Sequence, residues 1–500
     1  MPLNVLVNPA RVIGQRNPML YGHFLEHFHR QVYSGVFQPG HPLSDADGFR
    51  ADVLEAMRRI RVPILRWPGG CFVSTYHWQE GVGHDRIPSY DKTWRVEDPN
   101  TFGTDEFIKL CRKLGCEPYI CTNAGTGTAE EMSDWVEYCN LKSEGRYARQ
   151  RIANGFVAPH AVHYWSIGNE NYGRWELGAK SIGEWGLLVR ESAKLIKHVD
   201  PTVQLSAAAL SDVEWNLSLL QHCAPYLDWI SLHEYWDFMP EVQNPASYEE
   251  CMAYTDAVDH TVREVRGLLT ALKLDGRIKL AFDEWNLRSW HHPNVHTIVQ
   301  GVDPDTYIAP RDKNDDNSLY TMADAVFSAC FLNAMNRHCD VVGMANFSPI
   351  VNTRGCIYSH DKGIVLRSTF HVFDLYVNQM GDTVVDLWIE GGSPTMTVPR
   401  KGGGEHTVDC VDLLATTFSD RPGLAIAAVN KHPQDEYTIR IPMGQPAPVT
   451  LLTLNGPDKD SFNDVDRTEI SVREQALGVC SGDMEITLPA HSVNVIRIGC

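Results

Sequence analysis

Between residues 18 and 382, eight short apolar runs recur, each followed by a longer segment of helical period. That alternation constrains the fold more than any other feature of the chain. The runs are Met19–Phe24, Ile64–Trp67, Pro118–Thr122, Val162–Ile167, Gln204–Ala208, Trp229–His233, Lys279–Phe282 and Val341–Asn346. Amphipathic stretches such as Ala51–Arg59, Thr104–Leu114, Ser181–Val199 and Tyr254–Leu272 lie between them. Strands separated by helices predict a parallel sheet, because parallel neighbours need a crossover connection. Eight such units are the number that a (β/α)8 TIM barrel uses. The competing arrangement is an open doubly wound sheet. Its phosphate-binding fingerprint is a Gly-rich turn after the first strand, and none follows Phe24.

After residue 382 the pattern changes. Thr383–Ile389, Thr395–Val398, Leu424–Val429, Tyr437–Ile441, Val449–Leu454, Met484–Leu488 and Ser492–Ile498 are short strand-like runs separated by turns rich in Gly, Pro and Asp, and no long helical period remains. This predicts an all-β, jelly-roll-like sandwich. A chain of 500 residues is too long for one ordinary compact domain. The expected division is a catalytic barrel over 17–382 and a sandwich over 383–500, the latter joined by residues 1–16 through the strand-like Asn4–Val7. Lys401-Gly402-Gly403-Gly404 reads as a loop, since no strand–loop–helix order surrounds it.

A net charge of −19 argues against nucleic-acid or anionic-lipid partners, which select basic surfaces, and permits a neutral small partner such as a sugar. Thirteen cysteines, mostly inside apolar runs and without a CxxC pair, read as buried reduced thiols, with no zinc framework. They fit a reducing, cytoplasmic setting. The start Met1-Pro2-Leu3-Asn4-Val5 shows no secretory pattern, and no apolar run reaches the ~20 residues a membrane helix needs. No cofactor or metal is expected.

In a barrel the chemistry sits where the strands end. Glu26 follows the first run, Arg66 to Cys71 the second, Asn169-Glu170 the fourth, His233 to Trp236 the sixth, and Asp283-Glu284 the seventh. A lone Glu after a strand is most often a surface or salt-bridging residue. Glu170 and Glu284 stand out because each closes a strongly apolar run and has an amide or aromatic neighbour. Strands four and seven lie roughly opposite around an eight-stranded ring, so the two carboxyl groups can face one another. Such a pair can cleave an acetal, one protonating the leaving oxygen and the other attacking the anomeric carbon or activating water. Asn169 is placed to bond a sugar hydroxyl, and Tyr235 to hold a carboxylate ionised.

Asn169-Glu170 with Glu284 resembles the large clan of glycosidases with paired glutamates after strands four and seven. Within it, Tyr21-Gly22-His23-Phe24-x-Glu26-His27, Leu65-Arg66-Trp67-Pro68-Gly69-Gly70-Cys71-Phe72, Ile167-Gly168-Asn169-Glu170, Ser231-Leu232-His233-x-Tyr235 and Asp283-Glu284-Trp285-Asn286 resemble the family 51 α-L-arabinofuranosidases. Leu488-Pro489-Ala490-His491-Ser492-Val493 is similar to that family's last strand region. Any one motif is weak, but five in order at barrel spacing are strong. The resemblance implies a retaining, exo-acting enzyme that releases terminal arabinofuranosyl units from arabinoxylan or arabinan oligosaccharides. Glu170 would be the acid/base and Glu284 the nucleophile, with carboxyl groups about 5–5.5 Å apart. Glu26, Arg66, Cys71 and Asn169 would surround the arabinose, His233 and Tyr235 would position the nucleophile, and Trp94 and Trp290 would form aromatic walls. The resemblance also implies a homo-oligomer, commonly a hexamer. One departure is Pro349, where several members carry a sugar-binding Gln after strand eight; Asn346 or Asn352 is expected to substitute, or the sugar preference to differ.

Physically, Glu170 has to keep its proton near neutral pH, which burial and the neighbouring Glu284 charge favour, while Glu284 has to stay ionised. Two alternatives remain at this level, beside a non-catalytic sugar-binding barrel, against which the presence of both carboxylates argues. One is another glycosidase of the clan, a β-xylosidase or endoglucanase. The other is a metallohydrolase using His23-Phe24-Leu25-Glu26-His27 as H-x-x-E-H, which requires both His on one helical face. The loops Ser34–Phe49, Gly81–Asn100 and Arg288–Asp316 are expected to set linkage preference.

Overall fold

The computed structural model describes residues 1–239, 245–290 (Trp290 by its backbone alone) and 315–500. Eight parallel strands form one sheet: Gly22–Phe24, Ile64–Trp67, Glu117–Thr122, Tyr164–Ile167, Gln204–Ala207, Trp229–Met239, Lys279–Trp290 and Val342–Phe347. They are barrel strands one to eight in chain order. Strand eight returns to strand one through Asn346–Gly22 and Phe347–His23. The remaining seam, between strands five and six, closes at Ala208–Ser231, where the Ala209 N–H donates to Ser231 O (2.8 Å) and the Asp228 N–H to Leu205 O (2.9 Å). The result is the closed (β/α)8 barrel that the alternation predicts.

Two differences from the sequence reading have local causes. The first strand is confined to Gly22–Phe24 because Pro18–Tyr21 forms a 3-10 turn, capped by Asn17 Oδ1 accepting from the Met19 N–H at 3.0 Å. Strands six and seven run past the rim to Met239 and Trp290 as a paired ribbon, with Arg288 opposite Asp237. Arg288 ties the ribbon down with Nη1 to Asp237 Oδ2 (2.6 Å) and Nε to Asp324 Oδ1 (3.0 Å).

The helices start where local chemistry dictates. Ile182–Val199 begins at Ser181, whose side chain and that of Glu184 form a reciprocal capping box. Met322–Arg337 has no polar stripe, since every side chain from Met322 to Asn336 is buried. It lies between the barrel and the C-terminal sheet: Phe331 stacks on Trp285 (centroids 3.6 Å apart), and Asn333 Nδ2 donates to Asp412 Oδ1 at 2.5 Å. A helix buried all round carries no amphipathic signature. No helix among the described residues is long and apolar enough to cross a membrane.

Seven further strands form a β-sandwich from one sheet ordered Leu3–Gln15, Thr383–Ile389, Val411–Thr417, Leu424–Asn430, Ser492–Ile498, Tyr437–Asn455, Ser471–Leu488. The N-terminal strand pairs antiparallel with Thr383–Ile389 and, at Leu3 and Asn4, parallel with Ile439 and Arg440, so the sheet curls back on itself. Val5, Val385, Ile426, Ile439 and Ile496 fill its interior. Tyr437–Asn455 is one long strand with a bulge between Met443 and Ala447, which reads in sequence as two strands split by Pro442, Gly444 and Pro446.

Candidate active site

The turn after strand four sets the first carboxyl group. Gly168 has φ +73°, and a Cβ there would lie 2.1 Å from Asn171 Oδ1, so only glycine fits. Glu170 itself is left-handed at φ +46°, a conformation that costs a non-glycine residue about 1–3 kcal/mol and tends to be kept at functional sites. The turn holds the side chain in a cavity of about 460 Å³, where Oε2 accepts from Trp175 Nε1 (2.7 Å) and Oε1 from His233 Nδ1 (2.9 Å).

A bulge sets the second. On strand seven, Ala281 pairs with Ser231 but Glu284 pairs with His233, so one extra residue is inserted between them. Strict alternation would put Asp283 and Glu284 on opposite faces; the bulge lets both join one polar network. Glu284 reaches the cavity and accepts from Arg66 Nη1 at Oε2 (2.8 Å) and from the Tyr235 hydroxyl at Oε1 (2.6 Å). Asp283 lies fully buried and accepts from the hydroxyls of Tyr119 and Ser231, each at 2.6 Å. Burial opposes its charge, but Arg66 and His233 outweigh that and hold the carboxyl below its usual range.

His233 sits between the two glutamates, with Nδ1 2.9 Å from Glu170 Oε1 and 3.5 Å from Glu284 Oε2, and Nε2 3.4 Å from Asp283 Oδ1. Burial disfavours the imidazolium, yet Glu284, Asp283 and Glu170 more than offset it and raise its pKa to about 10. These three carboxylates favour the imidazolium form. Ligand-type atoms of Glu170, His233 and Glu284 all lie within 4.8 Å of one another.

Glu26 faces this pair. Burial, reinforced by the Glu284 charge, pushes its carboxyl up to about 8, and its Oε1 accepts from the Phe72 N–H at 3.0 Å. Gly70 makes room for it: a Cβ at Gly70 would lie 2.6 Å from Glu26 Oε1. Gly70→Ala should drive Glu26 off its position. Overpacking of this kind costs about 1–3 kcal/mol, so KM should rise about 10- to 100-fold with a smaller change in kcat. Steady-state kinetics reads this directly, and an unchanged KM would mean that Glu26 does not touch substrate.

The other residues singled out in the sequence divide by depth. Cys71 and Trp94 line the cavity, Trp94 packed on Phe28 at 4.1 Å between centroids. Arg66 and Asn169 lie beneath it, joined by Arg66 Nη2 donating to Asn169 Oδ1 at 2.8 Å, so they orient the carboxylates from below. The Trp290 side chain lies outside the described residues, as does most of the Arg288–Asp316 loop. Neither expected substitute at Pro349 lines the cavity: Asn346 Nδ2 donates to His23 O (2.9 Å) and Asn352 Nδ2 to Arg30 O (2.6 Å). Arg354, from the same loop, does line it.

His23 and His27 of the H-x-x-E-H string diverge. His23 packs in the core at 4.5 Å from Phe373, where burial lowers its pKa to about 3, and His27 stacks on Phe72 and meets Asp98 Oδ2 at 2.7 Å. Among the described residues, the groups whose ligand-type atoms approach within 4.8 Å are Cys71/Glu170/Glu176 and Glu170/His233/Glu284, and neither contains these histidines.

Sequence reasoning missed Trp175, Glu176 and Arg354. Glu176 is buried behind Glu170, bonded by Ser74 and, at 3.4 Å, by Asn169 Nδ2, and burial raises its pKa to about 8. The available signal was the aromatic and acidic pair Trp175-Glu176, six residues or fewer after Glu170.

Comparison with known proteins points the same way. Residues 56–253 match the family model described as the alpha-L-arabinofuranosidase 1 domain, and residues 283–492 the alpha-L-arabinofuranosidase C-terminal domain. A probable alpha-L-arabinofuranosidase C from Aspergillus flavus is 31% identical, over 99% of this chain and 97% of the relative. An intracellular exo-alpha-(1->5)-L-arabinofuranosidase from Acetivibrio thermocellus is 30% identical over 97% of each. The crystal structure of an arabinose complex of the Thermotoga maritima alpha-L-arabinofuranosidase superposes with a TM-score of 0.89 at 32% identity, covering 100% of both chains.

Proposed function

Because this chain belongs to the family 51 α-L-arabinofuranosidases and acts as one, we propose that it releases terminal arabinofuranosyl units by double displacement, with Glu284 as nucleophile and Glu170 as acid/base. The observation that carries this reading is the carboxylate pair. Oxygens of Glu170 and Glu284 lie within 4.8 Å. An approach this close of one oxygen from each group favours the ~5–5.5 Å spacing used for direct attack over the ~6.5–9.5 Å that leaves room for water between the groups. Glu284, oriented by Arg66 and Tyr235, attacks the anomeric carbon while Glu170 protonates the leaving oxygen. In the ester that results, the Glu284 charge is gone, and Glu170, now ionised, takes a proton from the incoming water.

Trp94 with Phe28 and Trp175 wall a cavity suited to a single terminal sugar and its neighbour, which supports exo action. Arabinan and arabinoxylan oligosaccharides are the substrates the reading takes, the first in line with the name of the Acetivibrio relative. All thirteen cysteines are unpaired, which suits a reducing, intracellular setting. The same reading takes the molecule to be a homo-oligomer, which sedimentation of the purified chain measures.

Time-resolved NMR of an aryl α-L-arabinofuranoside digest tests the reading. The first sugar released should be the α-furanose, and arabino-oligosaccharides should yield only arabinose at early times. A first-formed β-furanose, or preference for an aryl β-D-xylopyranoside, would overturn it.

His233 supplies a test by pH. His233→Asn removes the imidazole that lies between the Glu170 and Glu284 carboxyl groups and that they hold toward its protonated form. Both limbs of the kcat/KM profile should move to higher pH, by about one unit or more. Limbs that stay in place would mean that the working enzyme holds His233 neutral.

A further inference from the structure

The Tyr235 hydroxyl has one proton and two candidate acceptors, Glu284 Oε1 at 2.6 Å and Ser348 Oγ at 2.8 Å. A third group meets the same oxygen. Arg354 Nη2 donates to the Tyr235 oxygen at 3.1 Å, and its guanidinium carbon lies 4.9 Å from the ring centroid. Arg354 is 9% exposed, and among the described residues its Nε and Nη1 have no hydrogen-bond partner. It forms no ion pair with a described carboxylate, whereas Arg66 beneath the same cavity is paired with Glu284. A buried guanidinium with two unused donors is costly to keep, by about 1–3 kcal/mol for each unsatisfied group. Among the described residues its charge faces Glu284 and Glu26 through space, and its hydrogen bond runs to Tyr235.

We propose that Arg354 is a positioning residue for the hydrolysis. By donating to the Tyr235 oxygen it occupies a lone pair, polarises the O–H bond and commits the single phenolic proton to Glu284. The chain Arg354 Nη2–H to Tyr235 O–H to Glu284 Oε1 then strengthens whenever negative charge is present on Glu284. Charge leaves that carboxylate as the glycosyl–enzyme bond forms and returns as it breaks. Arg354 therefore helps Glu284 most as the leaving carboxylate of the second step, and orients its attacking oxygen in the first. Burial of Nε and Nη1 keeps them from serving as direct sugar ligands, so the effect belongs in kcat more than in KM.

This inference rests on Glu284 being the nucleophile. The experiment is a double-mutant cycle of Arg354→Met and Tyr235→Phe, assayed on a nitrophenyl α-L-arabinofuranoside, with Arg354→Lys as a second variant. Arg354→Met alone should lower kcat about 10- to 100-fold with KM within about threefold of the parent. In the Tyr235→Phe background the same change should cost less than about threefold, because the phenolic proton it controls is gone. Arg354→Lys should keep the acid limb of the pH profile near the parent position while recovering part of kcat, since it retains the charge without the planar donor. Equal losses in both backgrounds, or a loss confined to KM, would overturn the proposal. An active Glu284→Ala enzyme would instead remove the reading beneath it, so the two failures are told apart.

Discussion

Glu284→Ala should lower turnover of every glycoside, activated or not, by on the order of 10⁵-fold or more, since the reaction then has no covalent route. The loss holds for every leaving group because the bond to the nucleophile forms in the same step in which the leaving group departs. Removing this carboxylate also leaves Arg66 buried beside one fewer anion and deprives the Tyr235 hydroxyl of its acceptor at 2.6 Å. Breaking a buried ion pair can itself cost about 3–5 kcal/mol. Glu284→Gln keeps the volume and a hydrogen-bonding carbonyl, so it separates chemistry from folding: it should fold like the parent and be equally inert. Azide added to Glu284→Ala should enter the vacated space and give a β-arabinofuranosyl azide from an activated substrate. Turnover of an oligosaccharide by either variant at parental rates would remove Glu284 from the mechanism.

Glu170→Ala should divide substrates by their leaving groups. An oligosaccharide leaves as a poor alkoxide and needs the proton, so its kcat/KM should fall about 10²- to 10⁴-fold. A dinitrophenyl arabinofuranoside needs none, and its kcat/KM should stay within about tenfold of the parent, well short of the full worth of acid assistance. Its kcat should nevertheless drop, because water now attacks the glycosyl–enzyme without a base, and KM should drop with it as that species accumulates. Trp175 Nε1 and His233 Nδ1 both bond to Glu170, so its loss leaves two donors facing the cavity, where an anion such as azide can bind. Equal losses on both substrates would count against the acid role.

The barrel was legible because its strands are buried on both faces. Ile64–Trp67 is buried at every position and Glu117–Thr122 at all but its first, and both are mostly apolar, a pattern that no surface element would carry. Met322–Arg337 was hidden for the complementary reason, since a helix buried all round has no stripe to detect. Glu170 and Glu284 were visible because each closes an apolar run in a place where barrels keep their chemistry. The placement of Asp283 was not, because it depends on a bulge between Ala281 and Glu284 that periodicity alone does not reveal. Arg354 was further out of reach. It lies in an aperiodic loop and acquires a role only through Tyr235, 119 positions earlier in the chain. Glu26 and Gly70 were found as motif members, but the reason for the glycine is the 2.6 Å approach across the cavity.

A slow substrate that acylates faster than it is released tests the division of labour most directly. An activated arabinofuranoside carrying fluorine at C2 destabilises both transition states, and a good leaving group restores only the first step, so the covalent species should build up. Intact-mass measurement followed by peptide mapping should then find one fluoro-arabinosyl group per chain, on Glu284. A label on Glu170, or complete inactivation with no added mass, would contradict the account.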